Sequence, residues 1–254
     1  MSTLTARLGT VFHSYVGVAR SPSYFPLWLG QLVSNFGDTL HYIALVVLVF
    51  DLTGRGAAVA VLVAAEIVPV LLLAPLAGVV IDRFSRKGVL IASDLIRAAL
   101  VASLVWPQGA WHAYAVAAGL AASNTFFNPT VQAVIPAITT PDQRLAANSV
   151  AWSTGRLVQI VASAVAGGLI AVIGTDAAFA LNAATFVVSA LFIARLRIPP
   201  HAGQVAESAK RGLGSYLTDA RAGLGFARHD RFVSRLLIVQ TLASLATGAT
   251  GALL

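Results

Sequence analysis

Apolar residues run through this chain in long blocks, each closed by a short cluster of glycine, proline or charge. An α-helix needs about 20 mostly apolar residues to cross the hydrocarbon core of a bilayer. Seven blocks reach or approach that length: residues 25–50, 57–80, 88–106, 110–135, 145–173, 177–194, and a last one that starts near Phe232 and is still apolar at Leu254. Between them lie a short connector at 51–56, a charged loop at 82–87, the turn Pro107-Gln108-Gly109, a polar turn at 136–144 and the turn Gly174-Thr175-Asp176. Pro129 is expected to bend the far end of the fourth helix, and Thr175 or Asp176 to cap the sixth. The pattern predicts an all-α polytopic membrane protein. A cytoplasmic surface segment occupies 1–24, a six-helix transmembrane bundle 25–194, a basic cytoplasmic connector 195–231, and the start of a seventh transmembrane helix 232–254.

Two amphipathic stretches flank the bundle. Leu4, Leu8, Val11, Phe12 and Tyr15 recur at helical spacing. Leu213, Leu217, Ala220 and Leu224 share a face in the connector, with Lys210, Arg211, Arg221 and Arg228 nearby. Such a helix suits the surface of an anionic bilayer, while Pro199-Pro200-His201-Ala202-Gly203 before it reads as a flexible linker.

Composition removes the soluble alternatives. Apolar residues make up 57% of the 254 and charged residues 11%, against about 25% charged in a soluble domain. A chain this apolar cannot cover its surface with polar groups. The net charge of +7 would suggest nucleic acid in a soluble protein, but here the basic residues gather in particular connectors. With the N-terminus inside, cytoplasmic segments hold fourteen of the seventeen Lys and Arg, external loops hold Arg55 alone, and Arg97 and Arg156 fall within spans. That asymmetry predicts a multi-pass protein of the cytoplasmic (inner) membrane with its N-terminus in the cytoplasm. The first span is too long for a signal-peptide core. No cysteine is present, which excludes disulfides, thiolate metal sites and cysteine nucleophiles. The chain stops inside an apolar run without a polar flank, so a longer parent protein is expected.

Polar groups inside spans are costly and therefore mark function. Gln31, Ser34, Asn35, Asp38, His41 and Tyr42 form a stripe along the first helix. It lines either an aqueous cavity or a helix–helix seam. Asn148, Trp152, Arg156, Gln159 and Ser163 repeat the idea on the fifth. Asp38 and Arg156 fall at similar depths and are expected to be able to pair. Glu66, in the second helix, has no partner there and is a second candidate to carry a proton. Asp94 and Arg97, three residues apart and near the inner surface, are expected to form a structural ion pair. The candidate substrate and proton cavity therefore comprises Gln31, Asn35, Asp38, His41, Glu66, Trp152, Arg156 and Gln159, with Phe127 nearby.

The loop Gly78-Val79-Val80-Ile81-Asp82-Arg83-Phe84-Ser85-Arg86-Lys87 resembles the signature loop of the major facilitator superfamily. It has a glycine, Asp-Arg four residues on, then a basic pair, between the second and third helices on the basic side. In that family the loop latches the two six-helix halves together, which implies such a role for Gly78, Asp82, Arg83, Arg86 and Lys87; Asp82 would cap a helix across the interface between halves. Leu27-Trp28-Leu29-Gly30-Gln31, Gly37-Asp38, Ser93 to Ala98, Phe127-Asn128-Pro129, Ala147-Asn148-Ser149 and Leu181-Asn182-Ala183 resemble the branch with macrolide-efflux and enterobactin-exporter-like proteins. The resemblance implies a twelve-helix fold and proton-driven export, with this chain as the N-terminal half. Two departures stand out: Ser163-Ala164 replaces the Gly-Pro common in the fifth helix of exporters, and the fourth span lacks the membrane arginine of many proton-coupled relatives.

The partners implied are a small amphipathic substrate, protons, the lipid bilayer, and either a missing C-terminal half or a second copy of the chain. The alternative is a half-length accessory protein without transport of its own. His13, His41, His112, His201 and His229 show no metal spacing, and no nucleophile elbow or phosphate loop occurs. No enzyme, cofactor, metal or nucleic-acid partner is expected.

Overall fold

A computed structural model of the chain describes residues 15–198 and, beyond them, 225, 229–230, 232–236 and 238–239. The expectations for Leu4, Leu8, Val11 and Phe12, and for the amphipathic face Leu213, Leu217, Ala220 and Leu224, lie outside the described residues. The chain divides into two units, Met1–Ala202 and Gly203–Leu254. In the second, Asp230 Oδ1 accepts from the backbone N–H groups of Phe232 and Val233 at 2.9 and 3.0 Å. It thereby caps a helical turn at 232–236, where the last apolar run begins.

Among the described residues of the first unit, the regular structure is helical, joined by short turns. Helix α1 spans Phe25–Thr53, α2 Gly56–Arg83, α3 Arg86–Ser103, α4 Ala110–Ile138 and α5 Arg144–Arg195. Local chemistry sets the ends. Pro26 lies in the first turn of α1, and Gly54 closes the helix at φ 65°, its N–H bonding the Phe50 carbonyl at 2.7 Å. Ser85 caps α3 by accepting from the Gly88 N–H at 3.2 Å. Gly174, at φ 82° and ψ 167°, breaks α5 in a conformation that favours glycine. The break leaves a first limb at 144–173 and a second at 175–195, so six rods result. Pro129 and Pro136 both lie inside α4, which runs past the predicted end at Ile135. The start of the expected polar turn at 136–144 is therefore helical.

By length and apolarity alone, α1, α2 and α5 are able to cross a membrane. Helix α3 carries Arg86, Lys87, Asp94 and Arg97 in its 18 residues, and α4 is diluted by polar residues. Several of those groups are buried inside the bundle: Asp94, Arg97, Ser123 and Thr130. The outer surface is the reverse. Leu71 and Leu72 are each 70% exposed, and Ile67, Val68, Leu157, Ile160 and Val161 are also exposed. Polar groups inside and leucines outside is the arrangement that hydrocarbon solvent requires.

The interior has three layers. One apolar cluster joins Leu40, Leu45, Val49, Leu62, Val101, Leu104, Val116 and Phe179. Another joins Tyr24, Leu27, Leu90, Val134, Ile135, Val150 and Ile193. Polar side chains from four rods lie near mid-helix, between residues of the two clusters: Ser34 and Asp38 on α1, Asp94 and Arg97 on α3, Asn124 on α4, and Asn182, Thr185 and Ser189 on the second limb of α5. Close packing holds this layer. A Cβ on Gly37 would fall well inside contact distance of the Asn182 and Thr185 side chains, and one on Gly30 would meet Ser189 Oγ at 3.3 Å. Small residues are what permit helices to approach this closely in lipid.

Candidate functional site

A cavity of about 1160 Å³ opens between α1, α4 and the first limb of α5. Helix α1 contributes Trp28, Gln31, Asn35, Asp38, Thr39 and Tyr42; α4 contributes Val131, Gln132 and Ile135; α5 contributes Asn148, Trp152, Arg156, Gln159 and Ser163. The lining mixes aromatic faces with amide, hydroxyl and charged groups, a combination that binds a solute with both apolar and polar parts. Two long-range hydrogen bonds tie α1 to α5 along it. The Trp28 indole N–H donates to Thr154 Oγ1 at 2.9 Å, and the Tyr24 hydroxyl donates to the Ala147 carbonyl at 2.7 Å. Burial pushes the Tyr24 phenol up to about 12, so it remains a neutral donor across the physiological range.

The stripe on α1 divides between two environments. Gln31, Asn35, Asp38 and Tyr42 line the cavity, as do Trp152, Arg156 and Gln159 opposite. His41 does not. Its ring is buried, packs edge-on against Phe179 at 5.4 Å between centroids, and leaves both nitrogens without a hydrogen-bond partner. Glu66 also stays off the lining; it is half-buried on α2 and acts electrostatically on the Tyr42 hydroxyl. Phe127, expected beside the cavity, is 2% exposed and stacks on Arg97.

The expected pairing of Asp38 with Arg156 is replaced by two separate arrangements. Arg156 donates to Gln159 Oε1 at 2.7 Å and lies 5.6 Å from the Trp152 ring. Asp38 turns toward Ser34, Asn182 and the field of Arg97. The Asp94–Arg97 ion pair is present and enclosed by the helices of the bundle. Asp94 is 0% exposed and Arg97 2%. The Arg97 guanidinium is sandwiched between Phe127 and Phe186, 3.9 and 4.5 Å from their centroids, and donates to Asn124 Oδ1 at 2.9 Å. Asn124 was not singled out in the sequence, and Thr185 and Ser189 carried no signal beyond being small polar residues in an apolar run.

The charged loop is a set of helix-end contacts. Asp82 and Arg83 form the last turn of α2, so Asp82 stands at a helix C-terminus, not at an N-terminus within this unit. Its carboxylate acts on Arg86, opposing the downward pull of burial on that guanidinium. Arg86 Nη1 donates to the Ala133 carbonyl of α4 at 2.8 Å. Lys87 Nζ donates to the Ala194 and Leu196 carbonyls at 2.6 and 3.0 Å, where the second limb of α5 ends. Cations at helix C-termini satisfy orphan carbonyls and oppose the helix dipole. A Cβ on Gly78 would meet nothing within 4 Å among the described residues.

Among the described residues no group of three or more His, Cys, Asp or Glu is placed to hold a metal. The fold and the site together define a polytopic, all-helical membrane protein with an amphipathic cavity between its helices. Residues 27–254 match the model of the Major Facilitator Superfamily, and the chain belongs to that family of transporters. It is 24% identical over 224 residues to macrolide efflux protein A of Streptococcus pyogenes, covering 86% of this chain and 54% of that protein. It is 28% identical over 245 residues to multidrug efflux pump Tap of Mycobacterium bovis, covering 89% and 54%. A solved structure of the peptide transporter POT in complex with alafosfalin superposes with a TM-score of 0.60 at 17% identity, over 91% of this chain and 52% of that one. That likeness shows the fold. The chain spans about half the length of the efflux proteins it matches.

Proposed function

We propose that this chain forms one wall of a secondary transporter of the cytoplasmic membrane that exports small amphipathic molecules in exchange for protons. The opposing wall comes from a second six-helix half, either further along a longer chain or in a second copy. The two walls rock about the cavity so that it faces each side in turn. The observation that carries this reading is the cavity itself. Trp28, Trp152 and Tyr42 offer apolar faces for a hydrophobic body, while Gln31, Asn35, Arg156 and Gln159 offer polar contacts to fix its orientation. Asp38 stands on the same wall and takes the role of the proton-carrying carboxyl; Glu66, off the lining, is the second candidate. The N-terminus and the basic connectors lie in the cytoplasm, where lysine and arginine are retained. Kinship with efflux proteins supports the outward direction.

The test is transport by the full-length protein in inside-out vesicles, with a fluorescent amphipathic cation and, separately, a macrolide added to the outside solution. Uptake is expected to need an imposed pH gradient and to collapse with a protonophore. Asp38→Asn is expected to abolish the gradient-driven component, and Trp152→Ala to weaken binding of the probe. Uptake that ignores the gradient, in wild type and Asp38→Asn alike, would remove proton coupling. If the protein binds neither probe, the accessory reading replaces the transporter.

A further inference from the structure

Asp38 has two surroundings. On one side it borders the cavity. On the other it meets Asn182 and Ser34 and comes under the fields of both Arg97 and Asp94. Asp94 in turn bonds Arg97 and lies beside Ser189. The charged and titratable groups of this layer are few. Helix α1 supplies Asp38 and, one turn on, His41, which is packed against Phe179. Helix α3 supplies Asp94 and Arg97. Helix α4 faces the layer with neutral Asn124, and the second limb of α5 with neutral Asn182, Thr185 and Ser189. Arg156 stands on the cavity side, engaged with Gln159. Two carboxyls therefore face one guanidinium.

That guanidinium is held in place. Two phenyl rings, Asn124 and Asp94 fix it, so it cannot swing out to the cavity when a charge nearby changes. Buried charge is tolerated only when paired. With both carboxyls ionised, the layer would hold two negative charges against one positive, with Asp94 and Arg97 themselves shielded from solvent; one proton on either acid restores balance. The layer also has spare hydrogen-bonding capacity. Arg97 Nε is buried without a hydrogen bond, and Asn182 Nδ2 beside Asp38, and Ser189 Oγ beside Asp94 Oδ2, are buried without a well-formed one. Such orphans mark a place where a proton or bridging water changes the bonding.

We propose that Asp38 and Asp94 form one coupled proton site around Arg97, in which a single proton is shared between the two carboxyls. Asp94 is thus a functional partner in coupling and not only half of a structural ion pair. A proton enters from cavity water onto the Asp38 carboxylate, breaking a bond in hydronium and forming the carboxyl O–H. Arg97 then bonds to Asp94 alone, as in this structure. When Asp38 returns the proton to water, both carboxylates draw on Arg97. The inference rests on the reading of Asp38 as the proton carrier.

The experiment is infrared spectroscopy of the purified full-length protein, following the C=O stretch of protonated buried carboxyl groups as pH is varied. Wild type is expected to show such a band, titrating in one step. Asp38→Asn and Asp94→Asn should each abolish it, because each leaves one carboxylate matched by one guanidinium. Asp94→Glu, which keeps the charge, should retain the band with its midpoint moved by half a pH unit or more. If Asp38→Asn removes the band but Asp94→Asn and Asp94→Glu leave its midpoint unchanged, Asp38 titrates alone and the shared site is wrong while the coupling reading survives. If Asp94→Asn does not fold, the Asp94→Glu midpoint decides. A wild type with no titrating band that Asp38→Asn removes would overturn both.

Discussion

Gly37 shows how much one residue carries here. A methyl group at that position would press on Asn182 and Thr185, which are buried and bonded to each other at 2.9 Å, so neither has room to yield. Overpacking a filled interior costs about 1–3 kcal/mol. Gly37→Ala is expected to lower the melting temperature of the protein in detergent, while Gly167→Ala, which meets only open space, should leave it unchanged. Equal melting curves for the two variants would mean that α1 and α5 are not in close contact at Gly37. The same neighbourhood explains what the sequence revealed at residue scale. Successive helical residues turn by about 100°, which stacks Gln31, Asn35, Asp38 and Tyr42 on one line and sets Ser34 and His41 to its flank. A polar stripe thus announced a helix that borders a cavity, but its flank faces another helix. His41 was grouped with the cavity because nothing local distinguishes a residue facing water from one facing Phe179. Asn124 and Thr185 escaped notice because their partners are distant in the chain.

At the scale of elements, the connector after α2 is a clamp between helices of the first unit. Lys87 closes the C-terminus of the second limb of α5 through two carbonyls, and Arg86 holds the last turns of α4. Lys87→Ala is expected to free those carbonyls and fray the limb. Hydrogen–deuterium exchange should then quicken several-fold for amides 190–196 while those of α1 keep their rate. Unchanged exchange at 190–196 would show that the two bonds add nothing to the limb. The run lengths and turn residues made the rods themselves legible. Gly174 marked the break in α5, whereas α3 begins at Arg86, inside the loop expected at 82–87. The role of the basic pair was not legible, because the carbonyls it caps lie more than a hundred positions away for Lys87 and forty-seven for Arg86. The resemblance suggested Asp82 as a cap on another helix. In this unit it ends its own helix and neighbours Arg86.

At the scale of the molecule, the distribution of basic residues predicts a topology, and these 254 residues hold no cysteine, which makes it easy to test. Single cysteines at Ser85 and Asp142 are expected to resist a membrane-impermeant maleimide in intact cells and to react once the membrane is opened. A cysteine at Gln108 should react in both. The opposite pattern would invert the orientation. The composition already implied a protein with hydrocarbon as its outer solvent, and the exposed Leu71 and Leu72 over a buried Asp94 and Arg97 express that implication in three dimensions. What composition could not convey is the layered interior, since a layer exists only once four rods are side by side.

The cavity and the charged layer meet at a single side chain, Asp38. Trp152, Gln159 and Asn148 line the cavity without belonging to the layer around Arg97 and Asp94, so on the function proposed above substitutions there would alter the range of molecules accepted and leave proton coupling in place. A transporter working as proposed would be open to new cargo by substitution on one wall, and an inhibitor that fills the cavity would press on the proton site at Asp38 only. Resistance to such an inhibitor is then expected among the tryptophans and amides of the wall, with the proposed proton coupling retained.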